Sequence, residues 1–191
     1  MSAPAYQRPV AGKPVSQHVQ KDAKSPKLRV KFANVARPFH YQSSTNVPRY
    51  SVTGVLDPDI HMDFIQKVIA LESKEGITDS QTLKDEIQKA PDGTVVTTGK
   101  HLMKFQTKDK IPVIICKAGY TQTPVELQDE IRSGDEVVVV FDVLRYTKKN
   151  PKGGYGRGIS YQPKMIYLYP NEDVPSTQSH QSYGDYEDAP F

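Results

Sequence analysis

Two long runs rich in β-branched and aromatic residues stand close together late in the chain. The first is SGDEVVVVFDVLRYT (133–147), the second is ISYQPKMIYLY (159–169), and a polar, glycine-rich stretch, KKNPKGGYGRG (148–158), separates them. Such residues are enriched in strands, and two such runs around a turn-rich linker are typical of a β-hairpin. A hairpin needs further strands or a helix to cover its apolar side chains. The pattern therefore predicts a fold built around a β-sheet.

The rest of the chain supplies strands and an inserted helical region. Alternating or apolar runs predict four more strands, at residues 28–35, 49–56, 95–106 and 111–117. Apolar residues at helical spacing predict a helix over 60–75, with Asp57 or Asp59 as its N-cap and Gly76 at its end.

A second short helix is predicted to start at Asp79 or Ser80 and to contain Leu83 and Ile87, before Pro91-Asp92-Gly93 breaks it. The stretch TPVELQDEI (123–131) is expected to be a turn or a short helix. Short strands with a helical insertion favour a small barrel. We therefore expect a mainly β fold, an OB-fold-like five-stranded barrel with an extra hairpin, over residues 28–169.

Both ends of the chain lack a periodic apolar pattern. Residues 1–27 are predicted to be a flexible basic arm, and residues 170–191 a disordered acidic tail. Five of the 22 acidic residues and none of the 25 basic ones follow Lys164, so residues 1–164 carry +8 and the remainder −5. A basic body with an acidic end is a common arrangement where the body binds a polyanion.

Several classes of protein find no support in the sequence. No apolar run approaches the length that spans a membrane, and the N-terminus shows no signal peptide, so we expect a cytoplasmic protein. The single cysteine, Cys116, excludes an internal disulfide and a CxxC motif. GGYGRG precedes a strand instead of the helix that a nucleotide-binding loop needs. The five histidines show no metal-ligand spacing. We predict no enzyme activity, no cofactor and no metal.

Basic residues interleaved with aromatic ones are the pattern that points to a function. In LRVKFANV (28–35), alternation places Phe32 with the buried residues and leaves Arg29 and Lys31 on the open face. Cations that follow phosphates, with flat side chains that stack on unpaired bases, are typical of sites for single-stranded nucleic acid. Phe141 fits the core, whereas Phe105 and Tyr161 fit either the core or the site. The candidate DNA-binding residues are Arg29, Lys31, Arg37, Phe39, Tyr41, Arg49, Tyr50, Lys100, Lys104, Phe105, Arg145, Tyr146, Lys148, Lys149, Lys152, Tyr155, Arg157, Tyr161 and Lys164.

Three blocks of the chain carry a resemblance to a known family. The ending EDAPF (187–191) is similar to the acidic DDIPF ending of bacterial single-stranded DNA-binding proteins. VKFANVARPFHYQ followed by RYSVTGVLDPD, and SGDEVVVVFDVLRYT followed by GRGISYQPKMIYL, resemble the opening and closing blocks of bacteriophage single-stranded DNA-binding proteins of the T7 type. The resemblance covers roughly residues 28–169 and the tip of the tail.

The resemblance implies an OB-fold protein that coats single-stranded DNA in phage replication, recombination or repair, in the cytoplasm of the host cell. It also implies that the tail recruits a polymerase, helicase or primase and competes with DNA for the binding groove. The tail residues concerned are Asp185, Glu187, Asp188, Pro190 and Phe191. The charge split agrees, because a tethered acidic segment is held at a high effective concentration near the basic body.

The residues leave other readings open. An RNA-binding or strand-annealing protein would use the same fold and the same side chains. A protein–protein adaptor would use the tail and the helix over 60–75, with an incidental basic face. A nuclease is the least favoured reading, and the sequence leaves the oligomeric state, including a homodimer, undecided.

Overall fold

The computed structural model describes residues 17–39, 47–77, 82–117, 119, 122–149 and 155–171, with the backbone alone described at 147–149 and 155–157. These residues form eight strands and one helix. The elements in chain order are β1 (Gln17–Lys24), β2 (Leu28–Phe39), β3 (Arg49–Leu56), α1 (Pro58–Lys74), β4 (Leu83–Lys89), β5 (Val95–Thr107), β6 (Val113–Ile115), β7 (Glu136–Lys149) and β8 (Tyr155–Tyr169).

The strands form a single sheet in the order β4-β5-β3-β2-β7-β8-β6, and β1 pairs with β7. All pairs are antiparallel except β6 with β8. The sheet curls until β5 and β8 meet, where the side-chain amide of Gln162 donates to the hydroxyl of Thr107 at 3.2 Å. Strands β2, β3, β5, β8 and β7 thus surround one core. The predicted mainly β, OB-fold-like architecture and the long β7–β8 hairpin are confirmed.

Aromatic rings fill the centre of this core. The ring of Phe141 lies 5.1 Å from that of Phe105 and 5.7 Å from that of Tyr161, between ring centroids. Phe64 of α1 adds an edge-on contact to Phe141 at 6.4 Å, so the helix covers one side of the core. The predicted core position of Phe141 is confirmed, since its exposed fraction is 3%.

The helix begins and ends where its sequence predicts. The carboxylate of Asp57 caps the N-terminus by accepting from the amide of Asp59 at 3.1 Å, and Lys100 of β5 forms an ion pair with Asp57 at 2.7 Å. Gly76 follows the helix with φ of +76°, a left-handed conformation that favours glycine. No helix among the described residues is long and apolar enough to cross a membrane.

The predicted second helix is wrong in the residues that the structure describes. Leu83 and Ile87 lie in strand β4, which pairs with β5 across a turn in which the backbone amide and hydroxyl of Thr94 both donate to Asp92. The segment LKDEIQK contains Leu, Lys, Glu and Gln, which favour a helix by intrinsic propensity. Pairing with β5, together with burial of Glu86 to 1% exposure, selects the strand instead.

The predicted flexible arm is wrong over residues 17–24, which form β1 on the edge of β7. The buried carboxylate of Asp142 in β7 holds this polar strand by accepting from the backbone amide of Asp22 at 2.8 Å. Lys164 of β8 pairs with the side chain of Asp22 at 2.6 Å. Residues 1–16 of the arm and residues 172–191 of the tail lie outside the described part of the chain.

Candidate nucleic-acid interface

The outer face of strands β2, β3 and β5 points away from the core and carries a row of three residues. Phe32 of β2 lies opposite Thr53 of β3, which lies opposite Lys104 of β5. Neighbouring strands are about 4.8 Å apart, so an exposed ring and a cation stand roughly 10 Å from each other on one surface. This row places an exposed aromatic ring and a cation on the same surface.

A second row runs parallel to the first. Arg29 of β2 lies opposite Val55, Val55 lies opposite Leu102, and Leu102 lies opposite Lys84 of β4. Arg49, at the start of β3, extends the same surface at its other end. We call this surface the cationic face, and its charged and aromatic members are Arg29, Lys31, Phe32, Arg49, Lys84 and Lys104.

An irregularity in β2 turns Phe32 outward. Val30 pairs with Gly54 and Phe32 pairs with Thr53, so the register slips by one residue at Lys31. Val30 is therefore buried at 1% exposure, whereas 41% of Phe32 is exposed. The placement of Phe32 with the buried residues, expected from alternation, is wrong because one extra residue exchanges the two faces of the strand.

Positive charge is concentrated around Lys104. Partial desolvation lowers the pKa of Lys104, although the residue is exposed at the surface, and the nearby charges of Lys84 and Arg49 lower it further. The three cations belong to three different strands, β4, β5 and β3. A phosphate placed among them would relieve this mutual repulsion.

At the Lys31 side of the face, a buried carboxylate compensates part of the positive charge. Glu86 accepts from the ammonium group of Lys31 at 2.7 Å and from the hydroxyl of Thr98 at 3.0 Å. Desolvation raises the pKa of Glu86, but these hydrogen bonds, with the charges of Lys31 and Arg29, outweigh it and bring the pKa below its usual value. The ion pair joins the β4–β5 hairpin to β2. It also makes the ammonium group of Lys31 less available to an external anion than that of Lys104.

The far end of β2 is held by Glu130, in the segment predicted as a turn or short helix. Its carboxylate accepts from the backbone amides of Val35, Ala36 and Arg37 at 2.6, 3.0 and 2.7 Å. The side chain of Arg37 stays exposed, and Phe39, opposite Arg49, is 38% exposed. Both predicted residues are therefore presented at the end of the face.

Three predicted aromatic residues pack in the core instead of on the face. Phe105 has no exposed surface and Tyr161 is 3% exposed, so the assignment of these two rings to DNA stacking is wrong. Tyr50 is half-buried and packs against the same core cluster. Burial also raises the pKa of Tyr161 far above the usual range of a tyrosine. These rings contribute stability to the barrel.

Three predicted cations form ion pairs that fasten elements of the fold together. Lys100 pairs with the helix cap, as described above. Arg145 of β7 pairs with Glu75 at the end of α1 at 2.8 Å. Lys164 contacts Asp22 and lies 3.7 Å from Asp142. The geometry gives these cations a structural role and places none of them in the two rows of the cationic face.

The β7–β8 hairpin extends beyond the barrel and carries more of the predicted residues. Tyr146 lies opposite Gly158, and an ideal Cβ built on that glycine would be 2.4 Å from the tyrosine ring, so the ring covers the glycine. Lys148, Lys149, Tyr155 and Arg157 lie in the paired strands, where the backbone alone is described. Tyr41, Lys152 and the five tail residues lie outside the described residues.

Phe32 and Lys84 are members of the face that sequence reasoning missed. Phe32 was hidden by the bulge, which no local signal marks. Lys84 was assigned to a helix, although the turn sequence PDG between LKDEIQK and VVTT could have indicated a hairpin. Among the described residues, no group of three or more His, Cys, Asp or Glu is arranged to hold a metal ion.

Comparison with known proteins finds solved structures with a similar fold. No protein-family model and no curated protein matches the chain. Among solved structures, the single-stranded DNA-binding protein of bacteriophage Enc34 in complex with single-stranded DNA matches with a TM-score of 0.54 and 15% identity, over 81% of this chain and 97% of that one. Another structure of the Enc34 protein gives a TM-score of 0.53 and 18% identity, over 93% and 100%.

The protein gp2.5 of bacteriophage T7, a single-stranded DNA-binding protein, matches with a TM-score of 0.51 and 14% identity, over 84% of this chain and 92% of that one. Each solved chain is covered almost completely, so the likeness extends over the whole fold. The resemblance to phage single-stranded DNA-binding proteins is thus confirmed at the level of the fold.

Proposed function

We propose that this protein binds single-stranded DNA through the cationic face and coats it during phage DNA replication, recombination or repair in the host cytoplasm, without catalysing a reaction. The observation that supports this most directly is the row of Phe32, Thr53 and Lys104 across three strands. The fold likeness to a protein solved with single-stranded DNA agrees with it.

The aromatic and the cationic residue of this row contribute to binding in different ways. Phe32 offers a ring to an unstacked base, and a base stacked on an aromatic side chain is worth about 1–3 kcal/mol. Lys104, with Lys84 and Arg49 beside it, holds phosphates. Duplex DNA keeps its bases stacked inside the helix, so the Phe32 contribution favours single strands.

Binding of a fluorescent oligo(dT) tests this proposal. Phe32→Ala should weaken binding about 5- to 150-fold, the equivalent of one lost stack. Lys104→Ala should weaken it less and reduce the slope of log K against log salt by about 0.7. Lys67→Ala, which removes an exposed lysine of α1, is the matched control and should change neither quantity. Wild-type binding by Phe32→Ala would overturn the assignment of the face.

The same titration separates the remaining readings of the sequence. Tighter binding of oligo(U) than of oligo(dT) would identify an RNA-binding protein on the same fold. No binding to any single strand would leave the adaptor role as the explanation. Salt-independent binding would remove the electrostatic half of the proposal.

We also propose that the acidic tail, with Asp185, Glu187, Asp188, Pro190 and Phe191, competes with DNA for the cationic face and recruits replication enzymes. The support is the charge split between the −5 of residues 165–191 and the +8 of the preceding chain. Deleting residues 182–191 should increase the affinity for oligo(dT), most clearly at low salt. Unchanged affinity would refute the competition, and unchanged capture of the phage polymerase, helicase and primase would refute the recruitment.

A further inference from the structure

Lys104 stands on the cationic face without a carboxylate partner among the residues that the structure describes. Lys31 on the same face forms an ion pair with Glu86 at 2.7 Å. That pair stabilises the ammonium form of Lys31, whose nitrogen then has no lone pair to offer. The guanidinium groups of Arg29 and Arg49 stay protonated in proteins. The amine of Lys104 is therefore available for chemistry that these three side chains cannot perform.

The backbone around Lys104 is fixed by the core. The neighbouring side chains, Met103 and Phe105, have no exposed surface, and alternation along β5 therefore directs Lys104 to the outer face. Lys104 lies opposite Thr53, which lies opposite Phe32. A strand whose base stacks on Phe32 would bring a neighbouring sugar toward the flexible lysine side chain. The amine thus stands at a defined place along the proposed path of the DNA.

The surroundings of Lys104 favour the neutral, nucleophilic form of its amine. Desolvation lowers the pKa of Lys104, and the charges of Lys84 and Arg49 lower this pKa further. A lower pKa leaves a larger fraction of the amine neutral at a given pH. Desolvation is the largest cause, and it persists when DNA covers the face. Desolvation and a neighbouring cation are the conditions that activate the lysines of enzymes for attack on carbonyl groups.

Single-stranded DNA offers a reactive carbonyl at an abasic site, where the deoxyribose that has lost its base opens to an aldehyde at C1′. We propose that Lys104 captures such sites as a Schiff base. Nζ forms a bond to C1′, the carbonyl oxygen leaves as water with both hydrogens of the neutral amine, and a C=N bond remains. Water reverses the reaction, and no oxidant or reductant is needed. This capture rests on the proposed function, since DNA must first lie on the cationic face.

Reductive trapping with the full chain tests the capture. The probe is a fluorescent oligo(dT) with one abasic site, and sodium cyanoborohydride converts the Schiff base into a stable amine that survives a denaturing gel. A matched oligonucleotide carries a tetrahydrofuran residue at the same place, which lacks the aldehyde. Fluorescence anisotropy should show equal binding of both oligonucleotides by the wild type, and the abasic one alone should form a covalent adduct.

Lys104→Arg separates the chemistry from the binding. Arginine keeps the positive charge for phosphates, but its guanidinium is not deprotonated in proteins and forms no Schiff base. We expect this variant to bind the tetrahydrofuran oligonucleotide like the wild type and to form at least about tenfold less adduct at saturating protein. Lys67→Arg, at an exposed position of α1, is the matched control and should form as much adduct as the wild type.

Mass spectrometry of the digested wild-type adduct identifies the modified residue without any substitution, and we expect it to be Lys104. A wild type that binds both oligonucleotides without forming an adduct would refute the capture and leave the proposed function intact. Adduct formation by Lys104→Arg at the wild-type level, or an adduct mapped to another lysine, would refute the role of Lys104. Absence of binding to either oligonucleotide would refute the proposed function itself, and the capture with it.

Discussion

Replacing Glu86 with Gln should change stability and DNA affinity in opposite directions. The carboxylate is buried and compensates Lys31 on the cationic face, at an N–O distance of 2.7 Å. Gln keeps the shape of the side chain but removes its charge. We expect the variant to be less stable and to bind single-stranded DNA more tightly, because Lys31 then becomes available to a phosphate.

The cost in stability follows from the contacts. A hydrogen bond to a charged group contributes about 1.5–3 kcal/mol. The side chain of Lys31 is 28% exposed, so water recovers part of its solvation when the carboxylate is lost. We therefore expect a loss of about 1–2 kcal/mol in the free energy of unfolding, or roughly 2–8 °C in Tm for a chain of this size.

The pH dependence of this difference has a defined sign. The pKa of Glu86 in the folded protein lies below its usual value of 4.5. The carboxylate therefore stabilises the fold fully above about pH 4.5, and this contribution is lost as the pH falls through the lower folded pKa. The stability gap between the wild type and Glu86→Gln should be constant near neutral pH and should close in acid.

The gain in DNA affinity should depend on salt. One additional phosphate contact steepens the slope of log K against log salt by about 0.7 for a single strand. The affinity ratio of the variant to the wild type should then shrink about 2.6-fold between 50 and 200 mM salt.

Urea unfolding and fluorescence anisotropy with oligo(dT) measure the two effects of Glu86→Gln separately. Glu126→Gln, which neutralises an exposed carboxylate paired with Lys110, is the matched control and should change neither. Weaker DNA binding by Glu86→Gln, with a fold as stable as the wild type, would refute the role given to Glu86.

Three further substitutions test how the face is supported. Phe105→Ala should lower the free energy of unfolding by about 3–5 kcal/mol, whereas Phe32→Ala should melt close to the wild type. Equal melting temperatures of the two variants would contradict the assignment of Phe105 to the core and of Phe32 to the surface. Glu130→Ala should lower the free energy of unfolding by about 1–3 kcal/mol and speed hydrogen exchange at the three β2 amides that donate to the carboxylate. Unchanged exchange would refute its anchoring role. Gly54→Ala should lower the free energy of unfolding by about 1–3 kcal/mol, because the new Cβ would lie 2.7 Å from Leu28 Cδ1. An unchanged urea midpoint would contradict that crowding.

The elements that could be predicted are those whose signal is local. The helical spacing after Asp57 and the two long runs of β7 and β8 each contain enough apolar residues to define their own periodicity. The core position of Phe141 follows from the same alternation. These features need no information about what packs against them.

The features that could not be predicted depend on partners distant in sequence. The slip at Lys31 is visible only when β2 is paired with β3, and it decides whether Phe32 is buried or exposed. Strand β4 is polar and is defined by β5 and by the burial of Glu86 against Lys31, 55 residues away in the chain. Four of the six members of the cationic face, Arg29, Lys31, Arg49 and Lys104, could therefore be predicted from the sequence, whereas Phe32 and Lys84 could not.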